Sequence, residues 1–309
     1  MTDTQNEVFK TPVNKIRLFE HGAPGSQNLK LTRKYYTEDM PDGRVKHIVQ
    51  NITDPDIVPY IPDGIGNSTD RQRIPAVLII PGGAFRRLVY NFEGEDVAKW
   101  LNSMGIAAFV LECRLPSDEH DNAEDVPLID AMRAMRVIRG RAQEFGIDEA
   151  KIGFMAALLS TAYESDVYAD YKYKDEYDKL SARPDFAVCS YPVISIDDCI
   201  EAGKRYMSEE QVLERISDSK AKILHKYNPD KLVRPDMPPV FICETDDDRT
   251  TLSENSVGFY MAARKAGVSA ELHIFRTGGH GYGCGDDFAQ TGEWKVLFTK
   301  WIKSIGIIS

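Results

Sequence analysis

Residues 151–165 of the chain read KIGFMAALLSTAYES, and this segment is the most informative one for predicting the architecture. Residues 152–157 form a short apolar run of the kind that a buried strand requires. The small residues Ala156 and Ala157 then permit a tight turn, and the residues that follow suit a helix. We therefore predict a strand, a tight turn and a helix in immediate succession.

Further apolar runs resemble the first one and have the length of strands. They are residues 76–80, 107–112, 186–191, 240–243 and 270–275. Runs that are apolar on both faces are typical of central strands in a parallel sheet. Segments with helical periodicity lie between these runs, at residues 93–104, 127–145 and 253–266. This alternation predicts an α/β fold with a doubly wound, mostly parallel sheet.

The domain organisation follows from where this alternation holds. Residues 1–45 are an N-terminal polar segment without an assignable pattern, and residues 46–309 form one α/β domain. Residues 46–60 alternate apolar and polar side chains around Pro55, which predicts the edge strands of a hairpin. Residues 197–235 are a polar, partly helical insertion. We expect this insertion to cover the carboxyl edge of the sheet as a cap or pocket wall, and a solvated excursion is the alternative.

The composition argues against several classes of function. The chain has 309 residues and a net charge of -10, which disfavours binding to nucleic acid. It has no apolar run long enough to span a membrane and no signal-like N-terminus, so we expect a cytoplasmic protein. The histidines lack metal-ligand spacing and the cysteines lie mostly in strand-like runs, so we expect no metal, no organic cofactor and no disulfide. Nothing in the sequence encodes an oligomeric state.

Loops that could carry chemistry follow several of the predicted strands. Residues 81–85 (PGGAF), 245–249 (TDDDR) and 277–283 (TGGHGYG) each come directly after an apolar run. Glycine lets backbone N–H groups turn toward an oxyanion. A histidine in a glycine-rich loop gains little from packing, which makes His280 a candidate for chemistry. Because the carboxyl ends of parallel strands lie at one edge of a sheet, we expect these loops to meet there.

Taken together, these segments resemble the acetyl-esterase branch of the α/β-hydrolase fold over about residues 45–305. The resemblance rests on PGGAF and on four longer segments, which are EGEDVAKWLNSMGIAAFVLECRL, PLIDAMRAMRVIRGRAQEFGIDEAKIGFM, SARPDFAVCSYPVIS and ELHIFRTGGHGYG. It implies a carboxylic-ester hydrolase that acts on small acyl esters.

The resemblance also implies roles for single residues. Gly83 and Ala84 match the backbone donors of the family's oxyanion hole, with Ala84 where the family has a further glycine. His280 matches the general base. Asp248 matches the acid that holds the tautomer of this base and stabilises its imidazolium form. Asp246 and Asp247 are neighbours that could be confused with that acid.

The nucleophile does not follow the family's pattern. The family carries Gly-x-Ser-x-Gly, with the serine five residues after the glycine of an Ile-Gly pair. Counting from Gly153 gives Leu158, whose side chain has no nucleophilic atom. Ser160 would occupy the elbow only after a two-residue slip, which puts Leu158 where the family has glycine. Without the slip, Ser160 lies in the first turn of the helix and points roughly opposite to the required direction.

Two functions remain open on these residues. The first is an acetyl-ester hydrolase that uses Ser160, His280 and Asp248. The second is a protein that has lost ester hydrolysis. It is then either a pseudohydrolase that binds a small ligand or a cofactor-free enzyme in which His280 moves a proton. In each case we expect the partner to be a small-molecule ester or a related ligand.

Overall fold

The computed structural model describes residue 9 and residues 13–65, 73–163, 175–215, 222–223, 225–285 and 290–309. The side chains at positions 158, 159, 202 and 213–215 lie outside this description. Within the described residues, no helix has both the length and the apolar composition needed to cross a bilayer.

The fold is built on two β-sheets. The described strands are β1 (Ile16–Arg17), β2 (Lys34–Asp39), β3 (Val45–Gln50), β4 (Asp56–Tyr60), β5 (Ile74–Ile79), β6 (Leu88–Val89), β7 (Ala107–Glu112), β8 (Ile147–Met155), β9 (Phe186–Ser190), β10 (Val240–Thr245) and β11 (Ala270–Phe275). The larger sheet has the order β1-β4-β7-β5-β8-β9-β10-β11, and the smaller sheet has the order β2-β3-β6. Neighbouring strands from β7 to β11 are parallel, and β1 and β4 extend the sheet in antiparallel fashion. The predicted α/β fold with a mostly parallel sheet is confirmed.

Helices connect the parallel strands and pack against them. Those described are α1 (Asp96–Ser103), α2 (Val126–Gly140), α3 (Ala142–Phe145), α4 (Ala157–Ala162), α5 (Ile196–Lys204), α6 (Glu209–Arg215), α7 (Ser253–Lys265) and α8 (Trp294–Ser304). A π-helical turn at Asn91–Glu95 leads into α1. The helical periodicity at residues 93–104, 127–145 and 253–266 therefore corresponds to helices, and the second segment is divided into α2 and α3.

The hairpin predicted for residues 46–60 is wrong. Strand β3 pairs with β2 and β6 in the smaller sheet, whereas β4 pairs with β1 and β7 in the larger one. The connection between β3 and β4 contains Asn51 in the left-handed conformation (φ 57) and also Pro55. This connection carries the chain from one sheet to the other, so β3 and β4 pair with other strands and not with each other.

The strand, turn and helix predicted for the central stretch are present. Strand β8 ends at Met155, Ala156 has an extended backbone (φ 171, ψ 161), and α4 begins at Ala157. Gly153 allows β8 to approach its neighbour closely, since a Cβ at this position would lie 2.2 Å from the ring of Phe186. Helix α4 therefore starts at the carboxyl edge of the sheet, beside the loops that follow the neighbouring strands.

An aromatic cluster anchors the loop that follows β11. Trp294 is fully buried at the start of α8, and its Nε1 donates a hydrogen bond of 3.1 Å to the carbonyl of Gly283. The Trp294 ring also packs edge to face on Trp100, with 4.7 Å between centroids. Truncating a buried tryptophan typically costs about 3–5 kcal/mol. These contacts hold the loop that carries His280 in a fixed position.

The described residues of the insertion contact the loop after β5 and the start of α2. Ile196, Cys199 and Ile223 form an apolar cluster that packs on Phe85, in the glycine loop after β5. Near the start of α2, Asp125 Oδ1 accepts hydrogen bonds from the Tyr227 hydroxyl at 2.5 Å and from Lys226 Nζ at 2.6 Å. The insertion is thus attached at two points that flank the loops identified in the sequence.

Candidate active site

The pair formed by His280 and Asp248 lies where two parallel strands end. Asp248 follows β10 and His280 follows β11, and these strands are neighbours. His280 Nδ1 lies 2.7 Å from Asp248 Oδ2. A carboxylate can only accept, so Nδ1 carries the proton and Nε2 is left as the basic nitrogen. This is the geometry of a general base whose tautomer is fixed by an acid.

Asp248 is held in its ionised form by its surroundings. The side chain is buried, and it accepts hydrogen bonds from the backbone N–H groups of Thr250 (2.6 Å) and Thr251 (3.0 Å) and from the Thr251 hydroxyl (3.0 Å). Burial acts to raise the pKa of Asp248, but the contact with His280 and these donors outweigh it and leave the pKa below its usual value.

Asp247, the residue before Asp248, has a structural role in the glycine loop. Asp247 Oδ1 accepts hydrogen bonds from the backbone N–H groups of Gly278 at 3.0 Å and Gly279 at 2.8 Å. The hydroxyl of Thr245 donates to the carbonyl of Gly279 at 2.9 Å. Gly279 has a φ of 63°, in the left-handed region that favours glycine. Asp247 therefore shapes the glycine loop, while Asp248 contacts the histidine that this loop presents.

The loop after β5, residues 81–85, carries the two residues that are predicted to form an oxyanion hole, and we call it the oxyanion loop. Gly83 has a φ of 146°, and a Cβ there would lie 2.0 Å from the carbonyl oxygen of Arg87. Ala84 (φ 58) and Phe85 (φ 61) are both left-handed, which is uncommon for residues with side chains. Within the described part of the chain, the backbone N–H groups of Gly83 and Ala84 have no acceptor. Both groups are therefore available to a ligand oxygen.

A cavity of about 250 Å³ joins these elements. Its lining is mostly apolar and comes from the oxyanion loop, the start of α4, the end of β9, the insertion and the histidine loop. Representative lining residues are Gly83, Ala84, Phe85, Ala157, Tyr191, Ile223 and His280. A mostly apolar pocket with a few convergent polar groups suits a small uncharged ligand.

Two lining residues were not identified from the sequence. Glu93 accepts a hydrogen bond from the N–H of Gly82 at 3.1 Å, and burial raises the pKa of its carboxyl. Tyr191 packs edge to face on the His280 ring, with 5.2 Å between centroids. Tyr191 is left-handed (φ 38), and its N–H donates to the carbonyl of Cys243 at 2.8 Å. Tyr191 directly follows β9, so its place at the carboxyl end of a strand is the signal that could have marked it, whereas Glu93 lies in a helical turn and has no such mark.

Ser160 lies apart from the described residues that line the cavity. It lies in α4 with no solvent exposure, and its hydroxyl donates a hydrogen bond to the carbonyl of Ala157. Ser160 is not among the described residues that line the cavity, whereas Ala156 and Ala157 are. Leu158 is the next residue of α4, and its side chain lies outside the described part. The structure therefore brings together Gly83, Ala84, His280 and Asp248 but not Ser160.

Comparisons with known proteins identify the family of the chain. The profile of the BD-FAE family matches residues 65–262, which is more than half of the chain. The chain belongs to the BD-FAE family. Within this family of α/β-hydrolase fold, the chain is 29% identical over 232 residues to an acetylxylan esterase of Xylanibacter ruminicola, which is 74% of the chain and 45% of that protein. It is 30% identical over 223 residues to endo-1,4-beta-xylanase B of Butyrivibrio fibrisolvens, which is 71% of the chain and 34% of that protein.

Solved structures extend the match to nearly the whole chain. The acetyl ester-xyloside bifunctional hydrolase of Caldicellulosiruptor lactoaceticus is similar with a TM-score of 0.70 and 31% identity, covering 96% of this chain and 97% of that one. Esterase Est2 of Thermogutta terrifontis shares the fold, with a TM-score of 0.64 and 22% identity over 93% of this chain and 97% of that one. This BD-FAE chain is therefore of the esterase type, and it spans less than half the length of the curated relatives it matches.

Proposed function

We propose that this chain binds small acyl esters, or related uncharged ligands, in an esterase-type pocket but does not hydrolyse them through a serine nucleophile. The observation that carries the proposal is the orientation of Ser160, whose buried hydroxyl is bonded to the Ala157 carbonyl rather than facing the cavity that His280 lines. The position that the family's count assigns to the nucleophile holds Leu158. An oxyanion loop and a base without a nucleophile are suited to binding.

The ligand class follows from the lining of the cavity. The N–H groups of Gly83 and Ala84 suit a carbonyl oxygen, and His280 suits a hydroxyl or ester oxygen beside it. The remaining walls are mostly apolar, and the volume of about 250 Å³ limits the ligand to a small acyl group with a short alcohol part. The names of the relatives from Xylanibacter and Caldicellulosiruptor suggest acetyl groups on xylan-derived sugars as the first ligands to test.

Binding without turnover is the test of this proposal. We expect the wild type to bind p-nitroacetanilide, an unreactive amide analogue of p-nitrophenyl acetate, with ligand signals that respond in saturation-transfer NMR. Ala157→Met should abolish this binding because Ala157 lines the cavity, whereas Ala150→Met, at an exposed position in β8, should leave it unchanged. Hydrolysis of p-nitrophenyl acetate by the wild type should equal that of His280→Ala.

Two outcomes would overturn the proposal. Turnover by the wild type that disappears in Ser160→Ala would establish serine-based hydrolysis. Equal binding of the analogue by the wild type and by Ala157→Met, or no binding by either, would show that the cavity does not receive acyl ligands.

A further inference from the structure

A second buried carboxyl lies behind Asp248. Glu244, in strand β10, has no solvent exposure. Its Oε1 accepts a hydrogen bond from the N–H of Thr245 at 2.9 Å, and its Oε2 lies 3.2 Å from the Ser256 hydroxyl. The hydroxyl of Thr251 lies between the two acids, 3.5 Å from Glu244 Oε2 and 3.0 Å from Asp248 Oδ2. The two carboxyls thus belong to one buried hydrogen-bonded group.

Within the described residues, no lysine or arginine forms an ion pair with Glu244. The neighbouring histidine, His280, pairs with Asp248 rather than with Glu244. The other titratable groups that face it are acidic or neutral, and they are Asp248, Cys243 and Tyr282. Two ionised carboxylates in such a site would repel each other strongly, so one of them holds a proton.

The donors around each acid decide which one holds the proton. Asp248 accepts from His280, from two backbone N–H groups and from the Thr251 hydroxyl. Glu244 accepts at normal distance from one backbone N–H and one hydroxyl only. Asp248 is therefore the better site for the negative charge, and burial together with the Asp248 charge raises the pKa of Glu244 to about 9.

We propose that Glu244 is a positioning residue that holds a proton behind Asp248 and so keeps Asp248 ionised and aimed at His280. The chain of contacts then runs from Glu244 through the Thr251 hydroxyl to Asp248 and on to His280 Nδ1. This inference deepens the proposed function because it concerns the same base. It does not require ester turnover, so it can fail or succeed independently of that proposal.

The first readout is a spectroscopic signature of the His280 to Asp248 hydrogen bond. The proton on His280 Nδ1 should give a downfield resonance in NMR, assigned by its loss in His280→Ala. Glu244→Gln should keep this resonance, because a neutral amide can donate to the Thr251 hydroxyl that bonds to Asp248, as the protonated acid does. Glu244→Leu should lose it, because the donor is gone. Retention of the resonance in a folded Glu244→Leu variant would overturn the proposal.

The second readout is the pH dependence of stability, and it tests whether folded Glu244 holds a proton even if Glu244→Leu does not fold. Folded Glu244 keeps its proton up to a pKa of about 9, whereas an unfolded glutamate ionises near 4.5. Between these values unfolding releases a proton, so the wild type loses stability as pH rises, and Glu244→Gln does not share this loss. The Tm of Glu244→Gln relative to wild type should rise from pH 5 to pH 9.

The matched control is Glu271→Gln, at a partly exposed carboxyl on β11 that pairs with His273. It should leave the His280 resonance in place and show no comparable growth in relative Tm. If the Tm difference between Glu244→Gln and wild type stays flat or shrinks over the same pH range, Glu244 is ionised in the folded chain and the proposal is wrong.

Discussion

A Leu158→Ser variant is expected to hydrolyse p-nitrophenyl acetate at least about 10²-fold faster than the wild type. Loss of the serine from a triad enzyme costs about 10⁶ in kcat. A serine that recovers only a small part of this factor therefore still gives a measurable increase in kcat. Position 158 follows Ala157, which lines the cavity together with His280 and the oxyanion loop. In the proposed site His280, Asp248 and the N–H groups of Gly83 and Ala84 supply the base, its acid and the oxyanion donors, so this variant adds the attacking oxygen.

Two variants test whether the gain in rate depends on the position of the serine and on His280. Leu159→Ser places the same side chain one residue further along α4 and should stay at the wild-type rate. Leu158→Ser combined with His280→Ala should return to background, because the new hydroxyl then has no base. A folded Leu158→Ser variant that binds p-nitroacetanilide but hydrolyses p-nitrophenyl acetate no faster than Leu159→Ser would contradict this interpretation of the elbow.

The second large effect concerns the oxyanion loop. In the Leu158→Ser background, Gly83→Ala should lower kcat by about 10² to 10³, the usual cost of losing one oxyanion donor. Gly83 has a φ of 146°, and an added Cβ would lie 2.0 Å from the Arg87 carbonyl oxygen, so the backbone has to move. That movement takes the N–H groups of Gly83 and Ala84 away from the cavity. Steady-state kinetics on the double variant measure the loss.

A glycine in open surroundings provides the control. Gly258 lies in α7, and nothing lies within 4 Å of a Cβ built there. Gly258→Ala should leave kcat unchanged and stabilise the helix by about 0.5–1 kcal/mol. If Gly83→Ala retains most of the activity of its parent, the loop after β5 does not supply the donors assigned to it.

The central strands could be predicted because their signal is local. Residues 107–112 and 270–275 are apolar runs of the right length, and both are strands with those same bounds. The run at 186–191 ends one residue early, at Ser190, because Tyr191 turns into a left-handed conformation to face the cavity. Such a departure depends on His280 and Tyr282, which lie far along the chain.

Strand pairing could not be predicted for residues 46–60. Alternation shows that a segment is half-buried, but it does not identify the neighbour. Strand β3 pairs with β2, as a hairpin across residues 40–44, while β4 crosses to β7, about fifty residues further along. The partner strands of β3 and β4 are therefore determined by the tertiary structure and not by the alternation within residues 46–60.

In the candidate site, too, residues with a local sequence signal were predicted and residues without one were missed. His280 and Asp248 were identified because each sits in a recognisable loop directly after a strand, and the parallel sheet brings those loops together. Glu93 and Glu244 were missed because their importance lies in what surrounds them. One is an ordinary acid near a helix start, and the other is an acid inside an apolar run. Helical geometry predicts that Ser160 points roughly opposite to the direction a nucleophile requires, and its hydrogen bond to the Ala157 carbonyl fits that direction.

Whether Ser160 acts as a nucleophile can be read from the intact mass of the wild-type protein after treatment with a fluorophosphonate. This reagent adds to a serine that a neighbouring base activates. We predict no adduct on the wild type under conditions that label Leu158→Ser to completion. A single adduct on the wild type, mapped to Ser160 and absent from both Ser160→Ala and His280→Ala, would contradict the account.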